Sequence, residues 1–190
     1  LTHAVEAYLG RSNTHETRTS ALEAVRLIHQ HLGNAYAHPT NLDSRTGMMK
    51  ASFLAGVAFT RAYVGYVHAI AHTIGGFYKV PHGLANAIIM PHVLEYYGAS
   101  AHEKLAQLAD HIGLAPGDTS PAAKALKFID WIKHMNAAMN IPTGLDTIVL
   151  EDIPEMANRA LHEANPLYPV PKVLFYEDLH NLYLKLKEAA

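Results

Sequence analysis

Three histidines fall within fifteen residues of one another: His68, His72 and His82, in the run Gly65-Tyr-Val-His68-Ala-Ile-Ala-His72-Thr-Ile-Gly-Gly76-Phe-Tyr-Lys-Val-Pro81-His82-Gly83. His68 and His72 are four apart, so on a helix they share a face. Gly75 and Gly76 are expected to break that helix and Pro81 to open the next. His82 then starts a helix that can fold back over the first pair. Neutral imidazoles converging from separate backbone segments can hold a divalent metal. The same spacing also fits a tightly packed helix turn whose histidines bond to the backbone. Gly83 leaves space beside the His82 ring, and Asn86, one turn on, is placed to orient that ring or to cap.

The elements that must position these residues read as helices throughout. Apolar periodicity and start and stop signals predict helices at 1–10, 15–32, 43–60, 61–74, 81–97, 101–112, 121–139, 151–163 and 175–188. Thr14 or Asn13 can cap the second and Asp43 the third. Small residues Ala51, Ala55, Gly56 and Ala58 suggest close packing, and Met48, Met49 and Met90 read as core fillers. Pro91 should kink or end the fifth helix. Gly98 should terminate it, with Ser100 capping the next. Pro116-Gly117-Asp118 reads as a turn, Ser120-Pro121 as a helix start, Ile141 to Gly144 as a loop, and Asn165-Pro166 with Pro169 and Pro171 as an extended connection. No period-2 strand and no repeat is visible. The expected fold is all-α, a multi-helix bundle around one core over residues 1–190.

Composition narrows the chemistry. The chain has 190 residues, 49% apolar and 17% charged, with a net charge of -2. That is globular, and it gives no electrostatic reason to expect nucleic acid or an anionic membrane as partner. There is no cysteine, which excludes disulfides and thiolate metal sites and is compatible with a cytoplasmic location. No apolar run is long enough to span a bilayer and no signal peptide is visible. Phosphate-loop, dinucleotide and Gly-x-Ser-x-Gly motifs are absent. Of the fourteen histidines, His15, His29, His31, His38, His102, His111, His134, His162 and His180 share no spacing and are expected to have no metal role.

Four ordered blocks carry a resemblance: Leu1-Thr-His3-Ala-Val-Glu-Ala-Tyr8, Ala51-Ser52-x-x-Ala55-Gly56-x-Ala58-Phe59, Gly65-x-Val67-His68-Ala69-x-Ala71-His72-x-x-Gly75 and Pro81-His82-Gly83-Leu84-Ala85-Asn86-Ala87. Their order and spacing resemble the helical C-terminal half of the iron-containing (group III) alcohol dehydrogenases, over the whole chain and most strongly over residues 1–98. After residue 100 the likeness is carried mainly by Asn165-Pro166. The resemblance implies a divalent metal, usually iron, held by one Asp and three His. His3, His68 and His82 match the three histidines. The matching Asp would stand two residues before Leu1. His72 matches a histidine beside the metal that faces nicotinamide and substrate, with a catalytic role and not usually a ligand. The family's NAD(P) is bound by an N-terminal α/β domain, which is expected to be missing from this chain, since it opens inside or just before a helix.

The resemblance further implies hydride transfer between a small alcohol or aldehyde and NAD or NADP, with Fe²⁺ or Zn²⁺ as the Lewis acid. A glycerol-dehydrogenase-like polyol enzyme and a non-catalytic metal-binding helical module are the alternatives. The chain alone is expected to be inactive and to bind metal weakly. The histidine-bearing wall, with Phe77, Tyr78 and Val80 on its connecting loop, is expected to lie open to solvent or against another copy of the chain, a homo-oligomer.

Overall fold

The computed structural model describes residues 1–117 and 120–190. Among these it contains the nine helices α1 (Thr2–Leu9), α2 (His15–Ala37), α3 (Leu42–Ala62), α4 (Tyr66–Tyr78), α5 (His82–Tyr97), α6 (Ala99–His111), α7 (Pro121–Ala138), α8 (Ile153–Ala164) and α9 (Tyr176–Glu188). A single 3-10 turn, Leu150–Asp152, leads into α8, and no strand occurs among the described residues. The all-α bundle is as the periodicity predicts. Of the expected 116–118 turn, Asp118 lies outside the described residues.

Local chemistry sets most of the boundaries. The Thr14 hydroxyl accepts the Thr17 N–H, and the Thr17 hydroxyl accepts that of Thr14, a reciprocal cap that starts α2. Asn41, not Asp43, caps α3 by accepting the Ser44 N–H. Ser120 caps α7, with Pro121 as its first residue.

Three expectations are corrected. Gly75 and Gly76 do not break α4, which runs through both to Tyr78 and ends at Lys79 in the left-handed region, φ 57°. Two helical glycines cost about 1 kcal/mol each relative to alanine, which the burial of Ile70, Thr73 and Ile74 on the same helix outweighs. The chain stops where Lys79 turns and Pro81 forbids continuation. The break before α4 lies instead at residues 63–65, with Tyr63 at φ 64°. Pro91 does not end α5, which continues past it to Tyr97. Gly98, φ 51°, joins α5 to α6 directly, so Ser100 falls inside α6 and caps nothing.

The core is centred on α4 and α5, whose Tyr66, Val67, Ile70, Ile74, Ile88, Ile89, Val93 and Leu94 are essentially inaccessible. Around this pair α1 packs on α2 and α3, α6 on α7, and α8 on both α4 and α9. The stripe of α3 that faces inward is Ala51, Ala55, Ala58 and Ala62, small residues that let helices approach closely. Met90 is buried as expected, but Met49 is 68% exposed and Phe53 71% exposed on the opposite face of α3. Phe77, Tyr78 and Val80 are not left open. They are half-buried against the core, and the turn before α8 holds Tyr78, whose hydroxyl donates to Asp152 and accepts the Val149 N–H. Among the described residues no single helix is long and apolar enough to cross a membrane.

Candidate metal centre

The fold gathers the four motif histidines on three helices, three of them in first turns. His3 is the second residue of α1, His68 the third of α4 and His82 the first of α5, while His72 lies one turn along α4 from His68. The His3 ring is held between Phe59 of α3, with centroids 4.0 Å apart, and His68, 4.5 Å away. His68 in turn lies 5.4 Å from His82 and 6.0 Å from His72. His72 and His82 stack at 5.3 Å. His3, His68, His82 and Asn86, with Leu1 and Thr2, line a pocket of about 170 Å³. A larger surface concavity of about 630 Å³ between α2 and α3 is lined by Leu27, Met49, Phe53 and charged neighbours and contains no histidine.

Three of the four rings have a polar partner that orients them. His68 is 3% exposed and its Nδ1 lies 2.5 Å from Oε2 of Glu6, also buried. The other Glu6 oxygen accepts the Val67 N–H at 2.8 Å. Asn86 donates to the His82 carbonyl at 2.9 Å and lies 3.1 Å from the His82 Nε2, while its own Oδ1 is buried without a partner. His72 Nδ1 lies 2.8 Å from Oε1 of Glu163 on α8, which also accepts the Tyr168 hydroxyl at 2.8 Å.

The electrostatics divide the set. Burial, reinforced by the neighbouring histidines, pushes His3 down to about 4. Burial, His68 and His72 likewise lower His82. Both rings are therefore neutral at pH 7, the form that ligates metal. His72 is raised instead, by its hydrogen bond to Glu163 against a smaller burial effect. Burial pushes the Glu163 carboxyl up, but hydrogen bonds from His72 and Tyr168 bring it below its usual range.

Among the described residues no three His, Asp or Glu side chains are arranged as they stand to hold a metal ion. The stacking explains why: ring lone pairs lie in the ring planes, and the near-parallel planes of His3 and His68, 18° apart, cannot meet at one point. The donor set itself fits a first-row divalent ion: imidazoles held neutral, a carboxylate behind one of them, and an unpaired amide oxygen in the pocket wall.

His68 and His82 were legible from local spacing, and Asn86 from its place one turn after His82. Glu6 had a local signal, lying three residues after His3 on one helix. Glu163 and Tyr168 had none.

The family model for the C-terminal part of the Fe-containing alcohol dehydrogenase family matches residues 1–186. The chain belongs to that family. It is 41% identical over 167 residues to the 1,3-propanediol dehydrogenase of Citrobacter freundii, covering 87% of this chain and 43% of that protein. It is 34% identical over 165 residues to the NAD-dependent methanol dehydrogenase of Bacillus methanolicus, covering 86% and 43%. A crystal structure of 1,3-propanediol oxidoreductase superposes with a TM-score of 0.92 at 37% identity, covering 97% of this chain and 49% of that one. The chain thus spans about half the length of these relatives.

Proposed function

We propose that this chain is the metal-binding helical part of an iron-type alcohol dehydrogenase. In the whole enzyme it would oxidise small alcohols or reduce aldehydes with NAD or NADP bound by a separate domain. The observation that carries the reading is the meeting of His3, His68 and His82 at three helix starts, with His3 and His82 held neutral. These three would be metal ligands. Fe²⁺ is the favoured ion from the family, with Zn²⁺ an acceptable donor match.

A divalent ion held there supplies Lewis acidity toward an alcohol or carbonyl oxygen. The chain's own residues do the rest. Glu6 and Asn86 fix the rings of His68 and His82. His72, one turn from His68 and hydrogen-bonded through Nδ1 to Glu163, keeps Nε2 free to hold or pass on the alcohol proton. Hydride transfer needs a cofactor fixed against the substrate carbon, so the 190-residue chain alone is inactive in this reading. A cytoplasmic location is part of the proposal, with which the cysteine-free sequence is compatible.

The test has two arms. Fe²⁺ or Zn²⁺ titration of the chain and of His82→Ala reads the ligands. NAD(P)-linked oxidation of 1,3-propanediol, ethanol and glycerol by the protein carrying its cofactor domain, with and without His72→Ala, reads the reaction. Metal binding without turnover of any of the three would leave only the non-catalytic module, and preference for glycerol would select the polyol branch.

A further inference from the structure

A buried carboxylate is costly unless its oxygens are matched by donors. Glu6 is 4% exposed, yet it sits on α1 and finds both donors on α4: the Val67 N–H on Oε1 and the His68 ring on Oε2. The first satisfies one of the N–H groups that a helix start leaves free. Gly65, the residue that opens α4, makes the approach possible. A Cβ there would lie 2.8 Å from Glu6 Oε1 and 3.4 Å from Glu6 Cδ, closer than a held carboxylate can accept.

With Oε1 occupied by a backbone donor and Oε2 an acceptor, the His68 nitrogen facing it must carry the proton. We infer that Glu6 is a positioning residue that locks His68 in its Nδ1–H tautomer and so keeps Nε2 unprotonated toward the pocket. A helix that carries one of the site's histidines thereby sets the chemical form of another. The tautomer needs no metal. Its consequence for metal affinity rests on the proposal that His68 is a ligand.

Glutamine has the same shape but one acceptor and one donor end. If its oxygen keeps the Val67 N–H, its amide faces His68 Nδ1 and favours the Nε2–H tautomer, which blocks the ligating nitrogen. If it turns over, the amide opposes the Val67 N–H and α4 loses that cap.

The experiment is long-range proton–nitrogen NMR of the metal-free chain with ¹⁵N-histidine, His68 being assigned by its absence in His68→Ala. The wild type should show Nδ1 protonated and Nε2 bare. Glu6→Gln should shift population to Nε2–H, and Zn²⁺ calorimetry should show affinity lowered about 10–100-fold. Gly65→Ala, which displaces the carboxylate without removing it, should move both readouts the same way. A wild-type His68 protonated at Nε2, or an unchanged tautomer in a folded Glu6→Gln, overturns the inference, and the wild-type spectrum decides even if both variants fail to fold. Unchanged Zn²⁺ affinity in His68→Ala would overturn the ligand assignment alone.

Discussion

His72 and Glu163 are 91 residues apart in the chain and their nearest side-chain atoms are 2.8 Å apart in space. The contact ties α4 to α8 and keeps one proton-carrying group beside the three proposed ligands. It also links the protonation of the pair to folding. His72 is raised above its usual 6.5, so its contribution to stability is fully present below that value and is lost as pH rises through the folded pKa. Glu163 is lowered below its usual 4.5, so its contribution is present above that value and fades as pH falls. The two overlap between 4.5 and 6.5.

Glu163→Gln should therefore return the His72 titration downward, read by NMR on the metal-free chain. With the His72 side chain 46% exposed, the stability difference should be small, about 0.2–1 kcal/mol. It should be visible in urea unfolding at pH values between 4.5 and 6.5 and fade once the pH has risen through the folded pKa of His72. An unmoved His72 titration would show that the contact is not made in solution.

His68→Ala and His82→Ala should each weaken Zn²⁺ binding by calorimetry by at least about 10–100-fold, while His29→Ala and His134→Ala leave it unchanged. Equal losses in all four would point to dispersed surface binding and against a built site.

His92 has the opposite sign to His72. Burial lowers it, although a hydrogen bond to the Thr143 carbonyl works against that. The unfolded chain then takes up the proton first as pH falls below the usual 6.5, and stability drops toward the folded pKa. His92→Gln should flatten part of the fall in urea midpoint as the pH drops below 6.5, compared directly with the wild type. An identical slope in the two proteins would remove His92 from the account.

Gly144 lies where the 141–148 segment docks on the end of α9. Its neighbour Leu145 donates to the Leu186 carbonyl at 2.8 Å. A Cβ at Gly144 would meet backbone atoms of Leu186, Ala189 and Ala190, none of which can swing aside as a side chain would. Gly144→Ala should cost about 1–3 kcal/mol in chemical unfolding without affecting Zn²⁺ affinity. An unchanged midpoint would show that the last residues of α9 yield freely.

The sequence makes local chemistry plain and long-range chemistry invisible. His68, His72 and His82 announce themselves by spacing, and caps such as Thr14 and Ser120 by residue type. The Gly75-Gly76 pair misleads because glycine permits a left-handed turn without requiring one. Lys79 makes the turn instead, a choice dictated by how α4 packs. Met49 misleads because α3 buries its alanine stripe and leaves Met49 on the exposed face. Glu163 has no sequence signal at all: only the docking of α8 on α4 brings it to His72.

The placement of His3, His68 and His82 in the first turns of three helices has a consequence for charge. None of those helices has an acidic residue in its own first turn, and none receives a side-chain hydrogen bond from its own capping residue. Each start carries a partial positive charge of roughly half a unit, and these ends border one small pocket. The backbone there welcomes negative charge, such as that developing on a substrate oxygen, and resists a bare cation. Glu6 is the carboxylate on hand to offset that resistance, and screening by salt should ease it further. The corner is thus biased toward a metal that arrives with an anionic partner over one that arrives alone.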